Sequence, residues 1–225
     1  PTQASVKELQ GMGIQPDVLV CRSEYPLTED IRGKIALFCN VPVSNVLQNL
    51  DVEYLYEAPL AMEREKLADV VLSSLRLENR KPDLSDWEEM VESLRNPNKT
   101  VKIAIVGKYT QLHDAYISVV EALKHGAVAN RAQVHIKWVD SETVTSENVD
   151  EKLGDVSGIL VPGGFGDRGI DGMICAIRYA REHQVPFLGL CLGMQLTIVE
   201  YARNVLGYHD AHSIETVSYT HLRAH

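Results

Sequence analysis

The sequence contains no apolar run near the roughly 18 residues that a membrane-spanning helix needs, so no membrane association is expected. It has no positive excess either: 22 Lys+Arg against 31 Asp+Glu leave a formal charge of −9. That balance argues against general nucleic-acid binding but leaves room for a local basic pocket around a nucleotide phosphate. The four cysteines, Cys21, Cys39, Cys175 and Cys191, form no C-x-x-C pair and no disulfide-like spacing. Free thiols in a cytoplasmic protein are the simplest expectation. No metal-ligand constellation stands out, and no G-x-x-x-x-G-K phosphate loop is present. The first residues, starting at Pro1, carry no signal-like pattern.

What the chain does have is one cysteine in an unusual setting, Gly189-Leu190-Cys191-Leu192-Gly193-Met194-Gln195. The preceding run 185–190 is continuously apolar, as in a buried parallel strand. The run 195–204 reads as a helix, with Leu196, Val199 and Leu206 on one face. A residue in the turn between two such elements sits in a strained elbow with its side chain exposed. The helix N-terminus presents unpaired N–H groups to an anion. Cys191 is therefore expected to be a nucleophile, with the Leu192 N–H as an oxyanion donor. The competing reading is a small core cysteine in a non-catalytic flavodoxin-like binding module. Upstream, the turn Pro162-Gly163-Gly164-Phe165-Gly166 could supply a second N–H from Gly163 or Gly164, since glycine lets backbone approach a substrate.

The expected fold class is α/β in two pieces. From residue 100 to about 215, strands at 101–107, 133–139, 158–161 and 185–190 alternate with helices at 114–130, 147–154, 171–183 and 195–204. This pattern predicts a parallel sheet covered on both faces, with ligands at the carboxyl ends of the strands. Residues 78–99 read as an interdomain linker containing a helix over 84–95, capped by Asp83 or Ser85. Residues 1–77 are less regular: a helix at 5–10, a strand at 17–21, a segment capped by Thr28 and running to Cys39, and a helix over 61–75. The five apolar residues from Ile35 to Cys39 are ambiguous between strand and helix. Cys21, Cys39, Cys175, Met173 and Met194 are expected to pack. The last residues fit neither pattern, and 216–225 reads as a non-native, adapter-derived tail.

G-L-C-L-G-M-Q with V-P-G-G-F-G upstream resembles the class I glutamine amidotransferases. Residues 1–7 (PTQASVK), 15–23 (QPDVLVCRS), 34–42 (KIALFCNVP), 106–109 (VGKY), 121–125 (EALKH) and 163–169 (GGFGDRG) resemble the CTP synthase family. The resemblance implies that 1–77 is the C-terminal portion of a P-loop-like amidoligase domain. It likewise implies that 100–215 is the N-terminal half of a flavodoxin-like glutaminase. In that family ATP activates UTP, and ammonia released from glutamine converts it to CTP. Carried over by resemblance, Cys191 forms a glutamyl thioester, while Gly164, Leu192, Gly193, Met194, Gln195 and Glu215 bind glutamine. Gly163, Gly164 and Leu192 line the oxyanion site. Gln3 and Lys34 contact UTP or CTP, and Arg22, Leu50, Asp51 and Val52 lie at the ATP site. Arg168 lies in a loop that responds to GTP, an allosteric activator. The resemblance further implies Mg2+ as a cofactor, a homotetramer and a cytoplasmic location. Another glutamine-dependent synthase with the same glutaminase module is the nearest rival.

Two family features are absent from these residues. A class I glutaminase needs a His-x-Glu pair, and none of the eight histidines is followed two residues on by glutamate. The phosphate loop and magnesium carboxylates of the amidoligase are also missing. The expectation is an internal segment of a longer enzyme, forming no CTP and having negligible glutaminase activity by itself, because its thiol lacks a general base.

Overall fold

The computed structural model describes residues 1–164 and 166–213; the expectations for Glu215 and for the 216–225 tail lie outside them. The chain divides into two compact units, Pro1–Arg95 and a second beginning at Asn96.

The first unit runs α1 (Thr2–Gly11), β1 (Leu19–Ser23), α2 (Glu29–Cys39), β2 (Val46–Leu50), α3 (Ala58–Arg64), α4 (Leu67–Ser74) and α5 (Ser85–Arg95). Strands β1 and β2 pair in parallel, Leu19 opposite Val46 through Ser23 opposite Leu50. Thr28 caps α2 by accepting from the Ile31 N–H at 3.3 Å. The ambiguous stretch 35–39 is thereby helical. It buries Ala36 and Cys39 against Val6, Leu19, Cys21 and Val46. The expected single helix over 61–75 is instead two, broken at Lys66, whose φ is 61°. The break coincides with a polar hub. The Glu65 carboxylate accepts from Gln48 N–H at 3.2 Å, Gln48 Nε2 at 2.9 Å and Arg32 Nη2 at 3.0 Å. It thus satisfies an N–H of β2 that has no strand partner on that side. Burial opposes the charge on Glu65, but the Gln48 and Arg32 hydrogen bonds outweigh it and hold the carboxyl below its usual range.

Helix α5, expected inside a linker, is tied to the first unit. Trp87 Nε1 donates to Tyr56 O at 2.6 Å, and Arg95 Nε meets Glu57 Oε1 at 2.8 Å. Asp83 accepts from both the backbone N–H and the hydroxyl of Ser85, which lowers its pKa.

The second unit runs β3 (Lys99–Gly107), α6 (Ile117–Ala129), β4 (Ala132–Asp140), α7 (Val149–Leu153), β5 (Gly158–Val161), α8 (Ile170–Glu182), β6 (Phe187–Gly189) and α9 (Leu192–Asn204). The sheet is fully parallel in the order β4-β3-β5-β6. Its central positions are continuously apolar, so Ala104, Ile105, Val106, Ile159, Leu160 and Val161 are buried. Met173, Ala176, Ile177 and Ala180 recur at helical spacing and press α8 onto it. Leu192, Leu196 and Val199 do the same for α9, whereas Leu206 falls beyond the helix and is exposed. Fully burying side chains such as Ile159, Met173, Leu192 and Leu196 contributes roughly 1.5–3 kcal/mol each. Helices α8 and α9 are joined by buried Glu200, which accepts from Arg181 Nη2 at 2.8 Å and from Asn204 Nδ2 at 3.2 Å. No helix among the described residues is long and apolar enough to cross a membrane.

At the end of the sheet away from the strands' carboxyl termini, Asp155 bridges two strands. It binds Lys102 of β3 at 2.7 Å and Lys137 of β4 at 2.6 Å. Hydrogen bonds from Lys102 and then Lys137 push its pKa down to about 2. A carboxyl with a depressed folded pKa stabilises above its unfolded value and loses that contribution as pH falls through the folded one. The thermal midpoint of the wild type should therefore exceed that of Asp155→Asn at pH 7. The gap should close between about pH 4 and pH 2, and shrink in 1 M salt because the site is half exposed. A gap constant from pH 7 to pH 2 would exclude the bridge as its origin.

Candidate active site

After β3 the chain crosses to β4 on one side of the sheet, and it returns to the other side for β5. The ends of β3 and β5 therefore form a switch point, where side chains and loops can flank an open crevice. Gly107 ends β3 and is followed by Lys108; Val161 ends β5 and is followed by the glycine turn; Gly189 ends β6, two residues before Cys191.

Cys191 adopts φ 51° and ψ −106°, outside the ordinary L-residue regions. Tight backbone packing enforces this elbow. Leu190 N–H donates to Val161 O at 2.9 Å, joining the elbow to β5. A Cβ on Gly193 would sit 2.1 Å from that same oxygen, and one on Gly189 would sit 2.6 Å from the Gly193 carbonyl. Only glycine fits at either position. The thiol is exposed while its neighbour Leu192 is fully buried. Exposure removes the reading of Cys191 as a packed core cysteine. Cys21 and Cys39 are buried, and Cys175 is half-buried, with burial pushing its thiol pKa up.

The glycine turn lies against the thiol. A Cβ on Gly163 would stand 3.4 Å from Cys191 Cβ and 3.9 Å from Sγ. Gly164 is buried, between Leu192 and the stem of Lys108. As the first residue of α9, Leu192 has no acceptor for its N–H within the helix. Cys191, Gly163, Gly164, Leu192, Gly193, Met194 and Gln195 thus come together. Met194, expected to pack, is exposed on the first turn of α9, because that face of the turn looks away from the sheet. The Gln195 side chain accepts a short hydrogen bond from Ser213, which brings the chain after α9 back to the first turn. Arg168 is held on the adjoining loop by Lys108 O at 3.2 Å and Glu142 Oε1 at 2.9 Å, with its guanidinium 5.8 Å from the Tyr109 ring.

In the first unit, Arg22 and Asp51 stand near the carboxyl ends of β1 and β2 and pair at 3.2 Å, both exposed. Leu50 ends β2, and Val52 is half-buried beside Asp51. Gln3 is exposed on α1. Lys34 is exposed on α2 and paired with Asp30 at 2.6 Å. No bond joins Gln3 or Lys34 to the Arg22–Asp51 pair.

One functional candidate was not singled out from the sequence: Lys108, a lysine only 5% exposed. Its Nζ donates to Gly166 O at 2.5 Å. Burial pushes the ammonium pKa down, Asp167 opposes this, and Arg168 adds to it. The available signal was its position, immediately after the central strand at the switch point.

A parallel α/β sheet with an exposed thiol on a glycine-hinged elbow, flanked by a glycine turn and a helix N-terminus, has the form of the α/β proteins that place a side-chain nucleophile between a strand and a helix. The sequence comparisons make the class specific: the description "Glutamine amidotransferase class-I" matches residues 111–223, and the chain belongs to that family. "CTP synthase N-terminus" matches residues 1–77. The chain is 57% identical over 215 residues to the CTP synthase of Ruminiclostridium cellulolyticum, covering 96% of this chain and 40% of that protein. For the Clostridium perfringens CTP synthase the identity is 58% over the same shares. The chain therefore spans about 40% of the length of these curated relatives. A solved structure, the Trypanosoma brucei CTPS glutaminase domain with bound acivicin, is 42% identical at a TM-score of 0.48, covering 51% of this chain and 45% of that one.

Proposed function

We propose that the second unit carries the nucleophile and oxyanion elements of a glutamine-hydrolysing site. We further propose that the protein to which it belongs aminates UTP to CTP at the expense of ATP. The observation that carries the reading is the exposed Cys191 thiol at a strained elbow, with Gly163 at its side. In this reading the Cys191 thiolate adds to the γ-amide carbon of glutamine, forming a C–S bond and an oxyanion. The Leu192 N–H and an N–H of the Gly163-Gly164 turn receive that oxyanion. Collapse expels ammonia once the nitrogen has taken a proton, leaving a thioester that water cleaves to glutamate. Gly164, Gly193, Met194, Gln195 and Glu215 then hold the glutamine.

The match of residues 1–77 to the CTP synthase N-terminus family supports assigning Gln3 and Lys34 to UTP or CTP. It likewise supports Arg22, Leu50, Asp51 and Val52 at ATP, and Arg168 in a response to GTP. A homotetramer in the cytoplasm fits the same family. Among the described residues no group of three or more His, Cys, Asp or Glu side chains is placed to hold a metal.

The test is modification by a chloroketone analogue of glutamine, located by peptide mass spectrometry. Cys191 should react ahead of Cys21, Cys39 and Cys175, and free glutamine should slow that reaction. Modification of Cys191 that glutamine leaves unchanged would overturn the assignment.

A further inference from the structure

The glycine turn beside the thiol has little means of holding itself in place. Three of its residues, Gly163, Gly164 and Gly166, have no side chain, and Gly166 has φ 76°. Such a segment has more conformational freedom to lose than any other of its length. Oxyanion donors contribute only if they are already aimed where the charge develops.

Lys108 meets the turn from the central strand. Its Nζ lies 2.5 Å from Gly166 O, and its Cδ and Cε lie 3.5 and 3.7 Å from where a Gly164 Cβ would be. Its own carbonyl accepts from Arg168 Nη2 at 3.2 Å, and Arg168 is fixed in turn by Glu142. The loop is thus held by Lys108 at Gly166 and at Arg168. Placing an ammonium where only 5% of the residue is exposed is costly, and a surface lysine needs no such position. Hydrogen bonding to a backbone carbonyl offsets the cost, and the rigid β3 ladder supplies the anchor.

We propose that Lys108 is a positioning residue for the oxyanion turn: by clamping the Gly166 carbonyl and packing its stem on Gly164, it keeps Gly163-Gly164 against Cys191. The catalytic part of this inference rests on the reading of Cys191 as the nucleophile; the structural part does not. The test compares wild type with Lys108→Met, which retains an apolar stem and removes charge and donor. In amide hydrogen exchange, peptides covering 162–169 should exchange about 10-fold faster in the variant, while peptides covering 132–140 in β4 stay unchanged. Unchanged exchange in the turn, or an equal rise in β4, would overturn the clamp. If the methionine variant does not fold, Lys108→Gln carries the same expectation, since its amide is too short to reach Gly166.

The second arm measures reaction with the chloroketone: the thiolate adds to the ketone carbon, placing an oxyanion at the turn, and the sulfur then bonds to the chloromethyl carbon as its bond to the ketone carbon breaks, the carbonyl re-forms and chloride leaves. The maximal rate should fall about 10–100-fold, on the scale of a 1 Å misplacement, at an unchanged half-saturation concentration. Alkylation by iodoacetamide, which involves no carbonyl addition, should keep the wild-type rate. A residue with only a structural role would lower both reactions together, and an unchanged chloroketone rate would exclude a catalytic consequence. Failure of wild type to show glutamine-protected labelling would instead overturn the Cys191 reading, and the exchange result would still decide whether Lys108 holds the turn.

Discussion

Cys191→Gly is expected to abolish covalent capture of a glutamine analogue at the elbow and, at the same time, to stabilise the second unit by about 1 kcal/mol. Loss of capture follows from loss of the only exposed thiol among the four cysteines. The gain follows from the backbone. A cysteine at φ 51°, ψ −106° stores strain on the order of 1–3 kcal/mol, which glycine releases. The greater freedom of glycine in the unfolded chain takes back roughly 0.4–1 kcal/mol. Little packing is lost, because the side chain is exposed. Cys191→Ala separates the two effects: it should be equally inert but no more stable than wild type. Trp138 in β4 and Trp87 in α5 are the two tryptophans, one in each unit, so single-tryptophan variants allow urea unfolding of the second unit to be followed alone. A glycine variant no more stable than the alanine variant would show that the elbow carries no strain.

The second large effect is expected one turn away. A Cβ on Gly193 would stand 2.1 Å from Val161 O, inside any possible contact, and the obstacle is backbone of a sheet strand rather than a movable side chain. Overpacking into a core typically costs 1–3 kcal/mol; here neither side can yield without breaking the Leu190-to-Val161 hydrogen bond. Gly193→Ala should therefore destabilise the second unit by about 3 kcal/mol or more and displace the Leu192 N–H from the thiol. Gly126→Ala in α6 is the matched control. Nothing lies within 4 Å of its would-be Cβ, so it should stabilise by about 0.5–1 kcal/mol through helix propensity. Equal stabilities for the two variants would contradict the close approach.

The elbow was legible from local chemistry alone: an apolar strand, a cysteine, flanking glycines and a helix are enough to fix its geometry. β5 and the second half of β3 were legible for the same reason, since a strand buried on both faces is written as an unbroken apolar run. β6 shares the apolar run, but the expected burial does not hold: it lies at the edge of the described sheet, where Leu188 is exposed. β2 was not legible. Only Val46 and Leu47 of its five residues are buried, so Val-Leu-Gln-Asn-Leu carries neither a continuous run nor an alternation. The split between α3 and α4 was equally hidden, because it coincides with contacts made by Glu65 to Arg32 and Gln48, each at least 17 residues away. Lys108 shows the same limit at the site. A lysine after a strand reads as a solvated charge, and only the turn arriving from 58 residues downstream gives its ammonium a partner.

The strand order has a consequence for when the thiol acquires its chemistry. Strands β3 and β4 are neighbours in sequence and in space, so that pair can close early, whereas β5 and β6 add outward from β3 in turn. Gly163 approaches Cys191 only after β5 has docked, and the elbow bends only once β6 lies beside it. During vectorial synthesis residue 191 leaves the ribosome after the four described strands of this sheet, on a chain that has yet to bend. A nascent Cys191 thus has none of the neighbours that surround it in the fold, and it gains Gly163 and the strained backbone only when the described strands have paired.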